Sequence, residues 1–225
     1  MMPNRLSLSA LILFVVALNT AAAERSGRFV AQALRLDNTA AEVEITVEPR
    51  PDIAFTARGS SGALKSLDLH MDGGELVVSQ PSSNSAHRST VVVGSQTVIA
   101  TGGSTAISAI GGSSSDKSTS ERMQLRFAVP SGTPLTITGL TGDVRAGDLR
   151  APVHVLPEAG EVQLGRVGPA ILTVGGSGTI RVAEVTDRAD LSLDGTGTVI
   201  VEEGSVEHLS ARLIGTGDIR AASLG

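Results

Sequence analysis

Leu172-Thr173-Val174-Gly175-Gly176-Ser177-Gly178-Thr179-Ile180-Arg181-Val182 decides how this chain is read, because its form keeps returning. Leu193-Asp194-Gly195-Thr196-Gly197-Thr198-Val199 and Leu213-Ile214-Gly215-Thr216-Gly217-Asp218-Ile219 repeat it downstream, and Gly142-Asp143-Val144 and Gly160-Glu161-Val162 precede it. Counted on Gly142, Gly160, Gly178, Gly197 and Gly217, the spacings are 18, 18, 19 and 20 residues. A period of this length marks a repeat architecture, in which each unit buries its apolar face only against its neighbours.

Registering the chain on those glycines sharpens the pattern. Two residues after each stands a β-branched aliphatic: Val144, Val162, Ile180, Val199 and Ile219. Four after come Ala146, Leu164, Val182, Val201 and Ala221; seven after come Leu149, Val167, Val185 and Leu224, with Val206 displaced by two residues. Ahead of the glycines lie Leu135/Ile137, Val153/Val155, Leu172/Val174, Leu191/Leu193 and Ala211/Leu213. Alternation of period two means strand rather than helix. A hairpin sandwich has no reason to repeat residue types at fixed offsets, whereas stacked coils about 4.8 Å apart do. The expected fold is therefore all-β, a right-handed parallel β-helix or β-solenoid with coils of 18–20 residues.

Residues 24–81 read as an irregular strand region, the first coils and cap of the same domain. Candidate strands are 28–36, 42–48, 53–58, 67–71 and 75–80, with turn chemistry at Pro49-Arg50-Pro51-Asp52, Gly59-Ser60-Ser61-Gly62 and Asp72-Gly73-Gly74. Residues 82–121 are dominated by Ser, Gly, Thr and Ala and are expected to be a flexible insertion. Residues 122–225 carry the regular coils.

The run Leu172 to Val182, with Leu193 to Val199 and Leu213 to Ile219, resembles the reiterated Gly-Ser-Gly-Asp-[Ile/Val] signature of the bacterial head GIN domain family of putative auto-transporter adhesins. Val43 to Gln80, which includes Leu67-Asp68-Leu69-His70-Met71-Asp72-Gly73-Gly74, is similar to that family's opening strands, and Phe127-Ala128-Val129-Pro130 stands ahead of the first repeat. Thr179 and Thr198 depart from the pattern where Asp is common, as do Thr196 and Thr216 in place of the middle Ser. The resemblance implies a right-handed β-helix, export, and an adhesin-like surface role without established catalytic residues.

Composition narrows the chemistry. With no Cys among 225 residues, thiolate zinc sites, thiol catalysis and disulfide scaffolds are excluded. An aromatic content of 2% and a formal charge of -5 speak against base stacking and against a nucleic-acid partner. Arg5, the apolar run Leu6 to Leu18 and Ala21-Ala22-Ala23 have the order of a signal peptide. Residues 1–23 are thus expected to be removed, leaving an exported chain from Glu24 without a transmembrane segment, in the periplasm, at the cell surface or outside the cell.

The outward offsets one and three after each glycine hold Asp143/Arg145, Glu161/Gln163, Thr179/Arg181, Thr198/Ile200 and Asp218/Arg220. Stacked, Asp143, Arg145, Glu161, Arg181, Asp218 and Arg220 form a candidate ligand-binding face, on which arginine forks would address anionic groups. No tight carboxylate pair appears on it, so the expected protein is not an enzyme. Asp68, His70 and Asp72 alternate on one predicted strand, but no metal and no cofactor is expected. The leading functional reading is a non-catalytic adhesin-like or cell-envelope interaction module; the alternative is a carbohydrate-binding or carbohydrate-active envelope protein using the Arg/Asp face. The expected partner is an envelope protein or glycan. Because nothing after Ile219 reads as a cap, self-association through the C-terminal coil is also expected.

Overall fold

The computed structural model describes residues 18–19, 22–80, 89–93, 96–100 and 122–222. The leader read at 1–23 therefore lies almost wholly outside the described residues, as do Leu224 and most of the 82–121 stretch. The chain divides into two compact units, residues 1–81 with 121–225, and residues 82–120.

Alternating apolar residues and Gly-rich turns make the described residues mostly strand. In order these are β1 (Leu18–Asn19), β2 (Ala22–Phe29), β3 (Ala33–Asp37), β4 (Ala41–Val47) and β5 (Ile53–Gly59), then the short helix α1 (Ser61–Ser66). After it come β6 (Asp68–Asp72), β7 (Glu75–Ser79), β8 (Ser89–Val93), β9 (Gln96–Ala100), β10 (Met123–Val129), β11 (Leu135–Thr141), β12 (Val144–Ala146) and β13 (Val153–Ala159). The last five are β14 (Glu161–Val167), β15 (Ala170–Val174), β16 (Thr179–Gly195), β17 (Thr198–Gly215) and β18 (Asp218–Ala221). The smaller unit contributes one antiparallel hairpin, β8 with β9, pairing Val91 with Val98.

The larger unit is all-β, one open sheet rather than a closed barrel. Its hydrogen-bonded path runs β1-β2-β5-β10-β4-β12-β14-β16-β15-β13-β11-β3-β7-β6, with β17 on β16 and β18 on β17. Two runs of parallel pairing result. One aligns Val43, Val144, Val162, Ile180, Val199 and Ile219. The other aligns Leu36, Ile137, Val155, Leu172, Leu191 and Ala211. β16 and β17 are long enough to belong to both runs, Thr179 to Val182 in the first and Ala189 to Gly195 in the second.

The core lies along these aligned rows. Val144, Val162, Ile180 and Val199 have no exposed surface. Antiparallel strands close the early side: β5 lies between β2 and β10, with the rings of Phe55 and Phe127 5.3 Å apart, and β6 covers β7.

Several expectations are corrected. The predicted strand 28–36 is broken at 30–32, because β2 pairs antiparallel with β5 while β3 pairs parallel with β7 and β11, so the chain must change partners. The turn read at Gly59 to Gly62 opens instead into α1, whose N-cap Ser60 accepts a hydrogen bond from the Ala63 N–H at 3.2 Å. The N-terminal strands, expected outside the regular register, enter it directly: β4 aligns with β12, and β3 with β11. Ile219, expected in the buried row, is only half-buried, since among the described residues β18 has β17 alone as its neighbour. Val206 itself stands in unbroken register opposite Asp187, with Gly204 opposite Val185; a bulge follows it, where His208 pairs with Arg188 and Glu207 is the extra residue.

Candidate binding face

Parallel register places outward residues in straight rows. Arg126, Glu44, Arg145, Gln163, Arg181, Ile200 and Arg220 make one row. Beside it, Glu161, Thr179, Thr198 and Asp218 make another. Arg145, Arg181 and Arg220 thus share a row as the sequence pattern implied, interrupted by Gln163 and Ile200. Asp143 is engaged at the turn before β12, its Oδ1 accepting from the Glu161 N–H at 3.1 Å.

Most of these charges are already engaged. Arg145 pairs with Glu42 at 3.5 Å, Arg220 with Asp218 at 3.0 Å, Arg126 with Glu44 at 3.0 Å, and Arg181 more loosely with Glu202 at 3.9 Å. Glu161 accepts from the Gln163 side-chain amide at 2.9 Å. Exposed pairs of this kind contribute about 0 to 1 kcal/mol each. Their effect is to neutralise the face locally, which weakens its attraction for an anion spread across the row.

One place on the face is hollow. β12 ends after Ala146, whereas β4 runs on through Thr46 and Val47. The last bond between them is from Gly147 N–H to Ile45 O at 3.0 Å, after which the chain diverges. The resulting groove has a volume of about 760 Å³ and is lined by Glu44, Thr46, Ser131, Arg145, Asp148 and Arg150, among others. Asp148 is held by accepting from the Arg166 N–H at 2.9 Å. Arg150 is exposed, and its guanidinium has no partner among the described residues. Its φ of 51° is left-handed, at a corner where Gly132 adopts 83° and Asp187 adopts 71°. A bond from Arg150 N–H to Arg166 O at 3.0 Å fixes that corner.

Arg150, Asp148, Glu42 and Glu44 were missed in the sequence. The signal for Arg150 was there: Arg150-Ala151-Pro152 stands 18 residues, one repeat, after Gly132-Thr133-Pro134, so an arginine replaces a corner glycine. The same alignment marks a proline row. The carbonyls of Pro134, Pro152 and Pro169 accept from Leu34, Leu135 and Val153 at 3.0, 3.1 and 2.9 Å. A second, more apolar hollow of about 420 Å³ lies along this row beside His154 and the exposed Ile171.

Asp68, His70 and Asp72 do share β6, where His70 and Asp68 pair at 3.2 Å, both exposed. Among the described residues no group of three or more His, Asp or Glu is placed to hold a metal ion. The resolved pKa shifts fall elsewhere: hydrogen bonding to Asp37 and its charge raise Arg35, and Asp190 raises Arg188 in the same way. No described helix is long and apolar enough to cross a membrane.

No protein-family model matches the chain, and no curated protein matches it. Among solved structures, the chain is similar to a putative adhesin from Bacteroides fragilis, at 13% identity and a TM-score of 0.48, covering 90% of this chain and 98% of that one. A putative cell adhesion protein from Clostridium sporogenes matches at 11% identity and a TM-score of 0.33, covering 88% and 99%. A putative lipid binding protein from Parabacteroides distasonis matches at 12% identity and a TM-score of 0.32, covering 91% and 98%. These three TM-scores are below 0.5, so the functional reading rests on the chain's own residues.

Proposed function

We propose that this chain is an exported, non-catalytic module of the adhesin-like, GIN-type kind, wound as a right-handed parallel β-solenoid. It binds an envelope partner bearing anionic, hydroxyl-rich groups, such as an acidic glycan, in the groove beside Arg145 and Arg150. The winding is supported by β16 and β17, each of which continues from one parallel run into the other; parallel crossovers are nearly always right-handed.

The observation that carries the binding reading is the state of Arg150. On a face where the other arginines are paired with acids, it alone lines the groove with its fork unengaged among the described residues. Thr46 and Ser131 add hydroxyl groups nearby. A planar guanidinium offers two parallel donors to a carboxylate, sulfate or phosphate, while the neighbouring hydroxyls suit sugar oxygens. Asp148 holds the Arg166 N–H with Oδ1, and Glu44 pairs with Arg126.

The test is a glycan-binding screen with the chain from Glu24 onward, followed by chain-length analysis of whatever is retained. Retention of an acidic glycan, its loss in Arg150→Ala, and recovery of the glycan at full length are expected. Shortening of the glycan that disappears in Asp148→Asn would replace this reading with the carbohydrate-active alternative.

A further inference from the structure

One residue of the neighbouring strand pins the groove wall that carries Asp148 and Arg150. Arg166, in β14, gives its backbone N–H to Asp148 Oδ1 at 2.9 Å, and its carbonyl accepts from the Arg150 N–H at 3.0 Å. The Arg166 side chain is itself engaged with Glu184 at 2.8 Å. A carboxylate and a guanidinium, two residues apart, thus line the groove from a backbone that is already fixed.

Gly165 makes room for that carboxylate. Its φ lies outside the left-handed region, so backbone conformation does not call for glycine. The repeat does not call for it either, since the matching positions in β16 and β17 hold Ala183 and Glu202. Close approach does. A Cβ at 165 would overlap Asp148 Oδ1, and would stand 3.0 Å from the Gly147 carbonyl carbon and 3.1 Å from the Asp148 backbone nitrogen.

We propose that Gly165 is a positioning residue for the groove, and that the Asp148 carboxylate seated over it accepts a ligand hydroxyl beside the anionic group taken by Arg150. This rests on the groove reading above and narrows its ligand to a sugar acid with a free hydroxyl near its carboxylate. An ionised carboxylate only accepts hydrogen bonds, and its two oxygens offer about four lone-pair sites. The Arg166 N–H takes one. The others call for donors, which a hydroxyl supplies and an ionised carboxylate, sulfate or phosphate does not. Holding both charges in place before the ligand arrives lowers the ordering cost of binding.

The test compares binding of oligogalacturonate with binding of its O-acetylated form, which keeps the carboxylates but lacks the hydroxyl donors. The unaltered protein is expected to prefer the free-hydroxyl form by at least about tenfold, the scale of one hydrogen bond to a charged group. Asp148→Ala and Gly165→Ala are each expected to bring that ratio close to one while both forms still bind through Arg150. Gly165→Ala is also expected to lower the urea unfolding midpoint, and adding Asp148→Ala is expected to recover part of the loss, because the smaller side chain vacates the space. A Gly165→Ala protein that keeps the preference overturns the positioning role. So does a loss of folding in Gly165→Ala that Asp148→Ala does not relieve, since the backbone rather than the carboxylate would then require the glycine. Equal binding of the two forms by the unaltered protein overturns the hydroxyl contact, whereas binding of neither form overturns the groove reading itself.

Discussion

Gly160 sits on the carbonyl oxygen of Gly142 so closely that a side-chain carbon at Gly160 would overlap it, and its φ of 112° is one that other residues rarely adopt. The glycine that defines the repeat is thus required twice over, by close approach and by backbone conformation. Gly160→Ala is expected to cost about 1 to 3 kcal/mol, by the usual scale of backbone strain. Gly175 has open space around it and no positive φ. Gly175→Ala should therefore lie within about 0.5 kcal/mol of the parent, as surface changes do. Urea unfolding of the two variants separates the positions; equal losses would show that the corner stacking is wrongly placed.

Ile180 and Arg181 are chain neighbours on opposite faces. Ile180 is fully buried between Val162 and Val199. Its replacement by Ala is expected to cost about 2 to 4 kcal/mol as a large-to-small core change. Arg181→Ala removes only an exposed pair with Glu202 at 3.9 Å and should change stability by less than about 0.5 kcal/mol. Thermal unfolding of both variants tests the inward and outward assignment.

Arg150 separates stability from binding. A left-handed conformation costs an ordinary residue about 1 kcal/mol that glycine does not incur. Arg150→Gly is therefore expected to hold or raise the unfolding midpoint, as glycine already stands at the equivalent corner at 132. The same variant should lose at least about tenfold in affinity for an acidic glycan, the scale of one charge-assisted bidentate contact. A variant that is more stable and binds unchanged would assign the arginine no role in the groove.

Much of the architecture was legible because the period and the inward offsets are properties of chain geometry. Once Val162, Ile180 and Val199 are seen at equal offsets, their alignment follows. The part that was not legible depends on pairing at a distance. Val43 sits in the same row as Val144 without a glycine two residues before it, since β4 enters the stack from a remote segment. Glu42 and Glu44 arrive with it, and that is why Arg145 and Arg126 are paired in the structure, while Arg181 and Arg220 find Glu202 and Asp218 within the repeats themselves. The helix α1 was hidden by Gly59 and Gly62, which read as turn residues although Ser60 supplies an N-cap. The groove was hidden for a similar reason: it exists only where short β12 lies beside longer β4.

Export has a simple readout. Expressed with its first 23 residues in a bacterial host, the protein is expected to be recovered outside the cytoplasm with Glu24 as its first residue. β2 would then keep the antiparallel partners of 24–29 and the ion pair between Glu24 and Arg58 at 2.9 Å. N-terminal sequencing decides it, and an intact Met1 in the recovered protein would refute the cleavage reading.

The stacking of the outward row is open to a single distance. Arg126 and Arg220 lie 94 residues apart in the chain and at opposite ends of one outward row, six strand spacings apart. In a chain without Cys, spin labels go only where Arg126→Cys and Arg220→Cys place them. Pulsed electron spin resonance on labelled protein diluted into unlabelled protein should give one narrow distribution, with the backbone sites about 29 Å apart at roughly 4.8 Å per strand. A distribution centred beyond about 45 Å, or a broad one without a maximum, would contradict an in-register stack of these strands.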